Sequence, residues 1–124
     1  MAVEGTIKKK FKKLWKYYIF QSLLAAIALL IIVLVLGKEK MLTVSAIGAT
    51  AFIIFAMPKS VSAQTKHVIG GHLVGLAAGT IFYFTELPYY VEYPLVVGLA
   101  IFIMVALDVE HPPAVGTALA VVIN

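Results

Sequence analysis

Long apolar runs separated by short polar stretches organise this chain. "IFQSLLAAIALLIIVLVL" (Ile19–Leu36) carries no charge over 18 residues. As a helix it is about 27 Å long, enough to cross a bilayer core. "GKEK" (Gly37–Lys40) reads as a tight turn, and "MLTVSAIGATAFIIFAM" (Met41–Met57) is the second run. It is predicted to stop at Pro58, because proline lacks the amide and disfavours helix in the residue before it. "PKSVSAQTKH" reads as a polar loop, and "VIGGHLVGLAAGTIFYF" (Val68–Phe84) as a third span. "TELPYYVEYP" (Thr85–Pro94) reads as an aromatic, acidic interface loop. "LVVGLAIFIMVAL" (Leu95–Leu107) is then a fourth span of 13 residues, barely enough to cross. Asp108–Pro113 interrupts, and "AVGTALAVVIN" is predicted as a fifth segment of 11 residues, roughly 16 Å of helix.

The stretch "TIKKKFKKLWKYY" (Thr6–Tyr18) has a different pattern. Ile7, Phe11, Leu14, Trp15 and Tyr18 draw one apolar stripe on a lysine-covered helix. Residues 1–18 are therefore expected to form a basic amphipathic flank in the cytoplasmic headgroup layer, anchored by Trp15, Tyr17 and Tyr18. A plain positively charged flank fits the same residues.

Composition agrees with this reading. The chain is 62% hydrophobic and 13% charged, with mean hydropathy +1.02, against about 45–50% and about 25% in ordinary soluble domains. The expectation is a single domain over 1–124, an all-α membrane protein of four to five transmembrane or half-membrane helices with the lipid bilayer as partner. All ten basic residues are lysine and six fall between Lys8 and Lys16, so the net charge of +4 is a local feature and no nucleic acid is expected. Cysteine is absent, which excludes thiolate metal sites and disulfides. A core this small is expected to need several subunits to close a pathway, hence a homo-oligomer. The lysine-rich amino terminus is expected in the cytoplasm of a multi-pass inner or plasma membrane protein. Lys59 and Lys66 then fall inside, Glu86 and Glu92 outside, and Lys38 and Lys40 are the exception.

"SAIGATAFIIF" (Ser45–Phe55) and "PAVGTALAVVI" (Pro113–Ile123) align, with Ala46 on Ala114, Ile47 on Val115 and Gly48 on Gly116. Copies at the second and fifth positions would run in opposite directions. Such inverted repeats, with interrupted segments at equivalent places, point to a transporter's midplane site. Pro113 suits a first helical position, so helix restarts near Ala114. The amides of Ala114, Val115 and Gly116 are then left without internal acceptors, an anion site if they face a cavity. Gly116 allows close approach and Thr117 adds a hydroxyl, while Ser45, Gly48, Ala49 and Thr50 form the matching set. Capping of the new helix by Asp108 or Glu110 is the alternative.

Gly71, Gly75 and Gly79 recur every fourth residue, a small-residue seam that lets another helix approach, within the subunit or across an oligomer. His72 sits inside the same span, and ionisable groups there are candidates for function. Neutral, it can orient an anion; protonated, it can supply charge or couple transport to protons. A bond to a neighbouring backbone carbonyl is the structural alternative. His67 and His72, five apart, lie about 140° apart on a helix, unlike a metal-binding pair four apart; no metal and no cofactor are expected. Lys59, Lys66 and His67 read as an electropositive approach to a pore or as topology determinants. No nucleophile motif surrounds Ser45, His72 or His111, so no catalytic residues and no enzyme are expected.

"GATAFIIFAMPKSVSAQ" (Gly48–Gln64), "VIGGH" (Val68–His72) and "HPPAVGTALA" (His111–Ala120) resemble, in order, the three signature blocks of the HPP family of integral membrane proteins. The family is named for the motif that here is His111-Pro112-Pro113. The resemblance implies a bare HPP-type membrane unit of four or five spans. Plant chloroplast and cyanobacterial members carry nitrite, so it also implies a transporter or channel for a small inorganic anion. On the residues' own reading Pro113–Thr117 and Ser45–Thr50 form the site, with His72 and His111 as its titratable edge. Two other readings fit the residues: a non-transporting scaffold whose glycine seam binds partner proteins, and a pore for a small neutral molecule such as nitrous acid or ammonia.

Overall fold

The computed structural model describes residues 2–37 and 40–123, with side chains from residue 5 onward. Lys38 and Glu39 of the expected "GKEK" turn, and Asn124 of the last segment, lie outside the described residues. No break separates the lysine-rich flank from the first apolar run. α1 is one helix of 35 residues, Ala2–Leu36, about 52 Å long. The flank was expected to lie in the headgroup plane, but it continues the axis of the span. Neither glycine nor proline occurs between Thr6 and Leu36, so nothing in the sequence supplies a kink. α1 ends at Gly37, whose φ is +79° and whose amide donates to the Val33 carbonyl at 2.7 Å. This is a left-handed cap that glycine adopts without strain.

α2 is Met41–Ala56 and stops before Pro58 as predicted. A tight helical turn at Val61–Ala63 leads into α3, Thr65–Tyr83. Lys66 and His67 thus belong to the first turn of α3 and not to a loop. α4 is Tyr89–Ala106, 18 residues with Pro94 inside, so it starts six residues before the expected Leu95 and is about 27 Å long. Proline at the sixth helical position removes only one backbone bond close to the amino end, and Glu92 in the first turn complements the helix dipole. Glu92 also accepts the Thr85 hydroxyl at 3.2 Å. α5, Pro113–Ile123, is the half-length restart that the two prolines demand.

α5 is the hub of the packing. It lies along α3, with α2 and α4 beside it, while α1 rests against α2. The shared core is Val74 and Ala78 of α3, Val96, Ala100 and Met104 of α4, Val109, and Ala114 and Ala118 of α5. α2 and α5 run antiparallel: Ala46 meets Gly116, and four residues on, Thr50 meets His111. The glycine seam of α3 is turned inward. A Cβ on Gly71 would lie 2.6 Å from His111 Cβ, one on Gly75 2.5 Å from the Ala114 carbonyl oxygen, and one on Gly79 2.7 Å from that of Ala118. The seam thus seats α5 within the subunit, which removes it from the oligomer and scaffold readings. Outward, large apolar side chains such as Phe20, Leu34, Phe52, Leu73, Ile81 and Phe102 are exposed, the surface a bilayer solvates.

α4 closes with a motif that positions the next turn. The Val109 amide donates to Met104 at 2.9 Å and the Asp108 amide to Val105 at 3.2 Å, the bond pair of a Schellman cap. Asp108 takes the left-handed position, φ +56°, one of the few non-glycine residues that tolerates it. Its carboxylate receives Lys66 Nζ at 3.1 Å. That hydrogen bond and the lysine charge hold the Asp108 carboxyl below its usual range. A depressed carboxyl contributes stability above its ordinary value and loses it as pH falls through the lowered one. Asp108→Asn is therefore expected to melt below the native protein at pH 7, with the gap closing below about pH 4. Melting temperature against pH in detergent reads this, and a pH-independent gap would exclude the ion pair as its source.

Candidate functional site

Helical periodicity decides which polar groups reach the interior. On α2, Ala46 and Thr50 are four apart and share the face turned to α5; both are buried. Ser45 and Ala49 lie about 100° round and are exposed. Gly48 faces Leu29 of α1, 3.9 Å from the position of its missing Cβ. Of the expected set Ser45, Gly48, Ala49 and Thr50, only Thr50 enters the site, so the aligned segments do not contribute equivalent glycines.

Thr50 is met there by two histidines, His72 and His111. Its Oγ1 lies 3.1 Å from His72 Nε2 and 3.0 Å from His111 Nε2, and 3.0 Å from the Ala46 carbonyl oxygen. His72 Nδ1 is 2.8 Å from Thr117 Oγ1 of α5. His111 Nδ1 donates to the Ser62 carbonyl at 2.8 Å. The two imidazoles meet edge to face with ring centroids 5.0 Å apart. Thr117, His72, Thr50, His111 and Ser62 thus form one continuous chain of hydrogen bonds across α5, α3, α2 and the Val61–Ala63 turn. His111 is 1% exposed. Burial pushes its imidazole below the ordinary value, and the Ser62 carbonyl opposes that in part.

The helix-start amides are not the anion cradle the sequence suggested. The Ala114 amide donates to His111 O at 2.9 Å and the Val115 amide to Pro112 O at 3.1 Å, so backbone carbonyls of the turn take both. Gly116 is occupied by packing: a Cβ there would meet Ala46 Cβ at 3.0 Å. Carboxylate capping does not occur either. Asp108 pairs with Lys66, and Glu110 Oε2 lies 3.6 Å from His67 Nδ1. Pro113 and Ala114 are buried and act as filler beneath His111.

His67 has a role that its charge pattern concealed. It is 2% exposed, and its Nδ1 donates to the Glu110 carbonyl at 2.9 Å. It ties the start of α3 to the residue before His111, and Lys66 makes the parallel tie to Asp108. His67, Asp108 and Glu110 bring ligand-type atoms within 4.8 Å of one another, but they are committed to these ties. The Ser62 carbonyl could not have been picked out from the sequence, since every residue carries one. A cavity of about 240 Å³ lies beside the site, lined by Ile101, Met104, Val105, Glu110, His111, Pro112 and Val115. A groove of about 310 Å³ runs between α1 and α2 past Ser22 and Gly48.

Helices without strands among the described residues, an apolar exterior and polar groups gathered inside define an all-α membrane protein. α1 and α4 are each long and apolar enough to cross a membrane, and α2 and α5 are apolar but shorter. The chain belongs to the HPP transmembrane family: residues 9–124 match the family model described as "HPP, transmembrane region". It is similar to a transmembrane protein of Dictyostelium discoideum, 31% identical over 93 residues covering 72% of this chain and 33% of the relative. A second Dictyostelium discoideum transmembrane protein is 34% identical over 91 residues, covering 70% of this chain and 29% of the relative. The chain thus spans about a third of the length of these relatives. No solved structure matches it.

Proposed function

We propose that the protein is a transporter or channel for a small monovalent anion, with nitrite as the first substrate to test, and that it has no catalytic role. The observation that carries this reading is the buried His72–Thr50–His111 junction with Thr117 beside it. Titratable rings in the interior of a membrane protein are expensive and mark substrate or proton pathways. His72 lies close to the middle of α3, consistent with a site well inside the membrane. The anion is read as held by the imidazoles and hydroxyls, not by the α5 amides. The lysine flank is placed in the cytoplasm by the positive-inside rule, which puts the His111 turn on that side. Association into a homo-oligomer belongs to the same proposal.

Purified protein in liposomes is expected to carry nitrite faster than protein-free vesicles, measured alongside nitrate and chloride. His72→Ala removes both of its hydroxyl partners and is expected to lower the flux roughly tenfold or more, the effect of about 1.4 kcal/mol. No protein-dependent flux of any of the three anions would overturn the proposal.

A further inference from the structure

Thr50 has one hydroxyl proton and three polar neighbours. A carbonyl oxygen only accepts, so the 3.0 Å contact with Ala46 O is a hydrogen bond only when Thr50 donates to it. Both imidazoles must then donate to Thr50 Oγ1 through Nε2. For His72 a neutral ring suffices, because its Nδ1 can accept from Thr117 at 2.8 Å. For His111 it does not suffice, because Nδ1 already donates to the Ser62 carbonyl at 2.8 Å. All three contacts are satisfied together only when His111 is an imidazolium. When His111 is neutral, the Thr50 proton turns from Ala46 O to His111 Nε2. The threonine therefore has one rotamer of its hydroxyl for each charge state of the ring.

We infer that this junction takes up one proton and one small monovalent anion together, which makes transport an electroneutral proton–anion symport. The inference rests on the transport reading above and adds its coupling ion and stoichiometry. A proton arriving at His111 Nε2 puts a positive charge into a buried position, where an unpaired charge is costly. The groups facing it are Thr50 from α2, the Ser62 carbonyl, His67 and His72 from α3, and Glu110 on its own turn. α4 presents Met104, and α5 presents Val115 and Ala114. Glu110 is directed at His67 and Asp108 at Lys66, so both carboxylates are engaged away from His111. On that reading the anion, held by the imidazoles and hydroxyls of the junction, supplies the missing negative charge. One proton and one anion then move with no net charge, and release of the proton returns the hydroxyl to Nε2.

The test is nitrite uptake into proteoliposomes with an internal pH dye. An acid exterior is expected to drive protein-dependent uptake with one proton entering per nitrite, unaffected by a potassium–valinomycin potential. Nitrous acid leaks through lipid unaided, so protein-free vesicles set the baseline. Thr50→Ser is expected to keep the coupled flux. Thr50→Val, close in volume, is expected to lose it while still melting as a folded protein. Nitrite is also expected to raise the native melting temperature more at pH 5.5 than at pH 8, and Thr50→Val should lose that difference. Flux that follows the valinomycin potential and ignores the pH gradient would overturn the symport while leaving anion transport standing. Full coupling in Thr50→Val would overturn the role of the hydroxyl, and absence of any flux would overturn both readings.

Discussion

Gly75→Ala is expected to destabilise the protein by about 2–3 kcal/mol, seen as a lower melting temperature in detergent and a smaller folded yield. One methyl group has this effect because of where it would go. The new Cβ would sit 2.5 Å from the Ala114 carbonyl oxygen and 3.4 Å from the Ala118 amide nitrogen. Both are backbone atoms of α5, so no side chain can rotate away and the two helices must separate. Separation carries Ala114 and Ala118 out of the core they share with Val74 and Ala78. It also pulls Thr117 from His72. Gly98 of α4 is the internal control, since nothing lies within 4 Å of its missing Cβ. Gly98→Ala is expected to be neutral or to stabilise by up to about 1 kcal/mol through helix propensity. Equal melting temperatures for Gly75→Ala and Gly98→Ala would mean that α3 and α5 are not in backbone contact.

The same seam shows how far sequence reasoning reaches. Its spacing of four announces a close helix neighbour, yet nothing in the spacing says that the neighbour is α5 of the same subunit. Helix ends were legible where a residue forbids continuation, at Pro58 and at Pro112–Pro113. They were not legible where tertiary context overrides a local signal. Tyr89–Tyr93 looks like an interface loop, and Pro94 like its end, but one missing amide near a helix start is tolerated. In the site, Thr50, His72, His111 and Thr117 were all nameable from residue type. What a sequence does not encode locally is the register of α2 against α5. That register selects Thr50 over Gly48 and packs Gly116 on Ala46. The turn carbonyls that absorb the α5 amides are equally invisible, because backbone acceptors carry no residue label.

His111→Ala and His111→Asn are expected to separate folding from transport. The imidazole bonds to Ser62 through Nδ1, meets Thr50 through Nε2, and fills space above Gly71 and Ala114. Alanine removes both bonds, strands the Ser62 carbonyl and leaves a cavity, an expected loss of about 3 kcal/mol. Asparagine places an amide donor near the position of Nδ1, keeps the bond to Ser62 and is expected to lose only about 1 kcal/mol. It has no group at the position of Nε2, so flux should fall as far as in the alanine protein. A pH series adds a second sign. Burial lowers the His111 imidazole value, so the stability its neutral form contributes is present above about pH 6.5. That contribution is lost as pH falls through the lowered value. The native protein should therefore soften on acidification without anion, and His111→Asn should lack that component. An asparagine protein that transports as well as the native one would confine His111 to holding the turn.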